Sequence, residues 1–167
     1  DVFRRANGND PDTLDPQKAS FVNEIATLTM LYEGLVILGP DLKATGGAAE
    51  NWTVSEDGKT YTFKLRPGLK YSDGQPLTAK NFEYAWKRAA DPSIQGEYAS
   101  ETFIIEGAEE YNSADPAKAS AADLQALRDK MGVRAVDDKT LEFKLVKPAA
   151  YFPYIAYLWI GWPVRED

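Results

Sequence analysis

The stretch Asn51-Trp52-Thr53-Val54-Ser55-Glu56-Asp57-Gly58-Lys59-Thr60-Tyr61-Thr62-Phe63-Lys64-Leu65-Arg66 decides how the rest of the chain is read. Trp52 and Val54 alternate with polar residues, and Tyr61, Phe63 and Leu65 do the same. A period of two places one apolar face on each of two strands. Between them, Ser55-Glu56-Asp57-Gly58-Lys59 is turn chemistry, with Gly58 supplying positive φ and Asp57 tolerating the bend. Pro67 has no N–H for a ladder and ends the second strand. Leu69 and Tyr71 then form a strand-like piece before a Ser72-Asp73-Gly74 turn. Thr78 caps a helix predicted over 79–90, where Phe82, Ala85, Trp86 and Ala89 fall at helical spacing. The Asp91-Pro92 pair stops it, because a residue before proline avoids the helical region.

The same alternation returns further along. Val133 and Ala135 precede an Asp137-Asp138-Lys139 turn, and Leu141, Phe143 and Leu145 follow it, so a second antiparallel hairpin is expected. Thr60-Tyr61-Thr62-Phe63-Lys64-Leu65 looks like Thr140-Leu141-Glu142-Phe143-Lys144-Leu145, but the flanks do not repeat, which argues for shared hairpin chemistry over duplication. Around the hairpins, Val2-Phe3-Arg4-Arg5-Ala6 reads as a short strand and residues 7–12 as a turn cluster. A helix starts near Asn23, with Ile25, Leu28, Leu31 (or Tyr32) and Leu35 on one side. Leu35-Val36-Ile37-Leu38 reads as a buried strand. Further helices are expected over 102–111, 121–131 and 151–157, followed by an extended exit over 159–163. The fold class is therefore α/β with α+β character: a mixed, mainly antiparallel sheet, with helices 79–90 and 121–131 covering one face.

Composition narrows the chemistry. With 167 residues, 44% hydrophobic and 27% charged, the chain has the make-up of a globular domain. A net charge of −7 without a basic stripe argues against nucleic acid and against an anionic membrane surface as partner. There is no cysteine and no histidine, which removes disulfides, thiolate nucleophiles, the usual zinc ligand sets and an imidazole base. The longest apolar run, 151–162, is too short and interrupted to span a bilayer. Asp57, Asp73, Asp137 and Asp138 all sit in turns, where aspartate bonds the local backbone, so they are weak candidates for paired acid–base work. The glycine loops match neither phosphate nor calcium spacing, and no cofactor is expected. Trp52, Tyr61, Phe63, Trp86 and Phe143 lie on apolar faces and are assigned to the core. Tyr98 lies in a loop outside any such stripe.

Several words recur in one order along the chain. They are Leu14-Asp15-Pro16, Leu31-Tyr32-Glu33-Gly34-Leu35, Gly47-Ala48-Ala49-Glu50-Asn51-Trp52, the 55–66 run, Tyr71-Ser72-Asp73-Gly74-Gln75-Pro76-Leu77-Thr78, Tyr98-Ala99-Ser100 and Val136-Asp137-Asp138-Lys139-Thr140-Leu141. Jointly they resemble extracellular solute-binding proteins of the oligopeptide/dipeptide type, the substrate-capturing components of ABC importers. The resemblance implies the N-terminal part of a two-lobed, periplasmic-binding-protein-like fold. Residues 1–33 would belong to the first large lobe, 34–162 to a small peripheral subdomain, and 163–167 to a return toward the first lobe. A secretion signal would precede this stretch and most of a second lobe would follow it. The protein would be a monomer at the periplasmic or extracellular face of the cell membrane, lipid-anchored, binding a peptide and delivering it to permease subunits.

The resemblance also assigns residues. The segment after Leu14-Asp15-Pro16 pairs with the bound peptide as an added strand, which maps onto Ser20, Phe21 and Val22. The Tyr of the Tyr-Ala-Ser word lines the cleft, which maps onto Tyr98. Ser20 replaces the acidic residue of some oligopeptide binders, so no preference for a basic side chain follows. Other solutes of the family (a nickel chelate, haem, an oligosaccharide) stay open, as do a carboxylate-based hydrolase and a plain protein-interaction module.

Overall fold

The computed structural model describes residues 8–167; the strand expected over 2–6 lies outside them. The first helix, α1 (Val22–Leu28), begins at Phe21, whose backbone is extended (φ −92°, ψ 148°). It is shorter than the sequence pattern suggested: Leu31 is 59% exposed, and Leu35 is buried beyond the helix end. Two short strands, β1 (Val36–Leu38) and β2 (Ala44–Gly46), pair antiparallel.

The decisive hairpin forms as expected. Strands β3 (Ala49–Val54) and β4 (Thr60–Leu65) pair Trp52 with Phe63 and Val54 with Tyr61. Gly58 has φ +69°, and the Asp57 carboxylate accepts the Ser55 hydroxyl at 2.5 Å and the Lys59 amide at 3.1 Å. Next, α2 (Ala79–Ala89) starts at Thr78, whose amide donates to the Asn81 side chain at 2.9 Å. The helix expected over 102–111 is broken. A 3₁₀ turn (Ala99–Ile104) gives way to an extended Ile105 bridged to Leu145, and only then to α3 (Ala108–Asn112). Gly107, at φ +72°, makes the break.

Helix α4 (Ala121–Lys130) is capped by Ser120, which accepts the Asp123 amide at 3.1 Å. No residue within it is fully buried, and it packs on α3, so it does not cover the sheet as expected. Strands β5 (Val133–Asp137) and β6 (Thr140–Lys144) make the second hairpin. After the short α5 (Phe152–Ile155), the chain turns through a 3₁₀ segment at Trp159–Gly161, where the sequence suggested an extended exit.

The two hairpins join through their inner strands. The order is β3-β4-β6-β5, antiparallel throughout, with Tyr61 opposite Phe143 and Phe63 opposite Leu141. Tyr61, Phe63, Leu141, Phe143 and Val133 therefore share one face, and α2 lays Phe82, Ala85, Trp86 and Ala89 against it. Four aromatics meet there: the Phe143 ring lies 5.3 Å from Trp86, 5.6 Å from Phe63 and 5.1 Å from Phe152. Trp52, assigned to the core, is only half-buried, and Val54 is 46% exposed, because β3 is the edge strand of the four-stranded sheet. A second, small cluster of Ala19, Leu28 and Trp162 sits beside this core, with Tyr32 stacked on Trp162.

Candidate functional site

The segment leading into α1 is fastened at its start by Asp15. The turn that Pro16 initiates is closed by the Lys18 and Ala19 amides donating to the Asp15 carbonyl. The Asp15 carboxylate accepts the Gln17 amide (3.1 Å) and both arms of the Arg88 guanidinium from α2, at 2.7 and 2.6 Å. Such a two-point pair fixes direction as well as distance. Gln17, 3% exposed, accepts from Arg88 at 2.7 Å and donates to the carbonyls of Ile160 (2.8 Å) and Trp162 (3.2 Å). Burial pushes the Asp15 carboxyl up, but the Arg88 hydrogen bonds and charge outweigh it and hold the group below its ordinary value.

Beyond that knot the chain carries three of the four candidate contact residues. Ser20 is half-buried, Phe21 is 60% exposed and Val22 is 83% exposed. Behind them lies Glu24, only 2% exposed, whose carboxylate accepts the Ser20 amide at 2.9 Å and the Phe21 amide at 3.0 Å. The Phe21 bond foremost, against the cost of burial and helped by the Ser20, Thr13 and Asp12 amides, lowers its pKa. The Phe21 carbonyl accepts the Ile25 amide. Val22 is already the first residue of α1, and Phe21 just before it is extended.

Tyr98 is connected to this segment through its own loop and through Trp159. Its loop presses Gly96 against the backbone of Gln17: a Cβ at Gly96 would stand 2.4 Å from the Gln17 carbonyl oxygen. Tyr98 is 36% exposed and meets Trp159 edge-on, centroids 4.8 Å apart. The Trp159 indole N–H in turn donates to the Ala19 carbonyl at 2.8 Å. Tyr98 and residues 20–22 are thus linked through one side chain.

A separate cleft lies elsewhere. It measures about 910 Å³, is lined by Leu14, Met30, Tyr32, Tyr71, Val164 and Arg165 among others, and includes none of the four candidates. Burial raises Tyr71 in its wall to about 12. Among the described residues no group of three acidic side chains is placed to hold a metal ion. Phe21, Val22 and Tyr98 each expose apolar or aromatic side-chain area, and Tyr98 adds a phenol. That equips them for non-covalent recognition.

Sequence reasoning marks Glu24 only as an acidic residue suited to the start of a helix, and does not single out Arg88, Gln17 or Trp159. A signal for Glu24 existed: it stands three positions after the residue that caps α1, the spacing of a capping-box acid. No local pattern marks the other three, whose partners are 71 to 145 residues away.

Residues 43–167 match the family model described as bacterial extracellular solute-binding proteins, family 5 Middle. The chain is 38% identical over 162 residues to the probable deoxycholate-binding periplasmic protein YgiS of Escherichia coli, covering 97% of this chain and 28% of that protein. It is 37% identical over 157 residues to the oligopeptide-binding protein OppA of Bacillus subtilis, covering 94% and 27% respectively. A crystal structure of Haemophilus influenzae OppA in complex with RPPGFSPFR superimposes with a TM-score of 0.84 at 33% identity, covering 96% of this chain and 30% of that one. The chain spans under a third of the length of each of these proteins. With the match covering three-quarters of its residues, the chain belongs to the family 5 bacterial extracellular solute-binding proteins.

Proposed function

We propose that this chain forms one wall of a two-lobed binder that captures peptides for an ABC importer, without catalysis, outside the cytoplasmic membrane. The observation that carries this reading is the Ser20–Phe21 segment, half-buried at Ser20 and exposed at Phe21, which Trp159 connects to the partly exposed Tyr98 through the Ala19 carbonyl. Glu24 and Ile25 engage the Ser20 and Phe21 amides and the Phe21 carbonyl; among the described residues no partner engages the Ser20 carbonyl or the Val22 amide, which an extended ligand would meet. Main-chain pairing of this kind tolerates varied side chains. Closure of a second lobe would bury the ligand, and the closed form would be what permease subunits recognise. Residues 34–162 would act as a subdomain braced against the first lobe through Arg88 and Asp15. The relatives named for oligopeptide binding support the peptide reading.

A second reading has one specific support, the 38% identity to a relative named as probably deoxycholate-binding. An amphipathic steroid would use the Phe21, Val22 and Tyr98 surface as an apolar wall. Calorimetry separates the two on a chimera in which this chain replaces the matching segment of the Bacillus subtilis OppA relative. Heat from a tri- to pentapeptide mixture but not from deoxycholate supports peptide capture. The reverse pattern replaces it with the steroid reading.

A further inference from the structure

Both arms of the candidate surface converge on a side chain that belongs to neither. Trp159 donates its indole N–H to the Ala19 carbonyl (2.8 Å), immediately before Ser20, and carries Tyr98 edge-on against its ring (4.8 Å, 70°). It is the residue that packs on both apolar clusters, the main core and the Ala19, Leu28 and Trp162 group. Its own position is set from below, because the 3₁₀ turn at Trp159–Gly161 is tied to Gln17 through the Ile160 carbonyl. The segment it holds is clamped on its opposite side by Glu24, so residues 19–21 are gripped from two directions.

From this geometry we infer that Trp159 is a positioning residue: it fixes the spacing between the 20–22 segment and Tyr98, the two parts of the proposed peptide site. The physical reason is the split role of its ring system. The N–H end orders the 19–21 backbone by a directional bond, and the apolar edge orients the phenol through the preferred edge-to-face geometry. A leucine in its place would fill part of the volume and do neither. The significance of this spacing for ligands rests on the proposed peptide site. The coupling itself is a property of the unliganded chain and is tested there.

The test is hydrogen exchange and proton NMR on the isotope-labelled 167-residue chain, without ligand. In Trp159→Leu, the Ser20 and Phe21 amides should exchange about tenfold faster, the change expected for losing one anchoring hydrogen bond with its packing, while the Phe63 and Phe143 amides keep their rates. The ring-current shift of the Tyr98 ring should vanish. Trp159→Phe should restore the Tyr98 shift but not the slow exchange at Ser20 and Phe21, a separation that general loss of stability does not give. Exchange at Ser20 and Phe21 within twofold of the parent chain in both variants would overturn the inference. Should Trp159→Leu unfold the chain, seen as lost protection at Phe63 and Phe143, Trp159→Phe decides alone by whether Ser20 and Phe21 exchange faster. A chimera that binds no peptide while these couplings hold would remove the proposed function and leave the positioning role standing.

Discussion

Replacing Trp86 by alanine tests the centre of the fold. The side chain is fully buried on the inner face of α2, edge-on to Phe143 at 5.3 Å and tilted against Phe152 at 6.4 Å. Truncating a buried aromatic to alanine costs about 3–5 kcal/mol in transfer and cavity terms. Loss of the edge-to-face contact adds about 0.5–1.5 kcal/mol. One term opposes these. The indole N–H is buried without a hydrogen-bond partner, so its removal returns about 1–3 kcal/mol. The net expectation is a loss of about 3 kcal/mol, equivalent to roughly 6–12 °C in Tm for a chain of this size. Trp86→Phe should be far milder, about 1 kcal/mol, because it keeps an aromatic edge at Phe143 and deletes only the unpartnered donor and part of the volume. Urea denaturation followed by far-UV circular dichroism measures both, with equal m-values confirming that the same surface unfolds. A cost below about 1 kcal/mol for Trp86→Ala, or Trp86→Phe as damaging as Trp86→Ala, would refute the assignment of α2 as the lid on this sheet.

Two further outcomes follow from local geometry. Gly58→Val should cost about 1–3 kcal/mol, since a β-branched residue resists φ +69° and its Cβ would press on Pro148 at 3.2 Å; an unchanged urea midpoint would contradict the turn. The second outcome concerns acid. The folded pKa values of Glu24 and Asp15 lie below their ordinary 4.5 and 3.8, so the stability they contribute is present above those values and lost as pH falls through the folded ones. The urea midpoint should hold between neutrality and about pH 5 and then fall, and Glu24→Gln should flatten that fall while lowering the neutral value. An identical acid profile for Glu24→Gln would exclude Glu24 as the clamp.

Much of the fold was legible because it is local. The 51–66 and 133–145 hairpins announce themselves through alternation and through Asp-containing turns, and α2 through its stripe and the Thr78 cap. What the sequence concealed is non-local. That β4 and β6 lie side by side depends on the match between two apolar faces separated by seventy residues of chain, and no single window contains both. The break at Gly107 escaped notice because Phe103, Ile104 and Ala108 suit a helix, whereas pairing of Ile105 with Leu145 overrides that propensity. At the candidate site, the resemblance pointed to Ser20, Phe21, Val22 and Tyr98, residues whose own neighbourhood says little. The side chains that hold them, Glu24, Arg88, Gln17 and Trp159, are ordinary in sequence. They acquire a role only when α2 and the 159–162 turn fold back onto residues 15–21.

Isothermal calorimetry of Tyr98→Ala in the chimera with the Bacillus subtilis OppA relative tests the central claim most directly, with a tri- to pentapeptide mixture as ligand. Tyr98 is partly exposed and packed on Trp159, whose indole is bonded to the residue before Ser20, so on the proposed site its ring should contact a bound peptide. The expected result is peptide binding by the chimera, weakened by about 1–3 kcal/mol in the variant, the range for a buried aromatic contact. The isolated 167-residue chain should bind none, because a single wall does not offset the entropy of association. Equal affinity in chimera and variant, or micromolar binding by the isolated chain, would contradict the account of a two-walled site with Tyr98 in it.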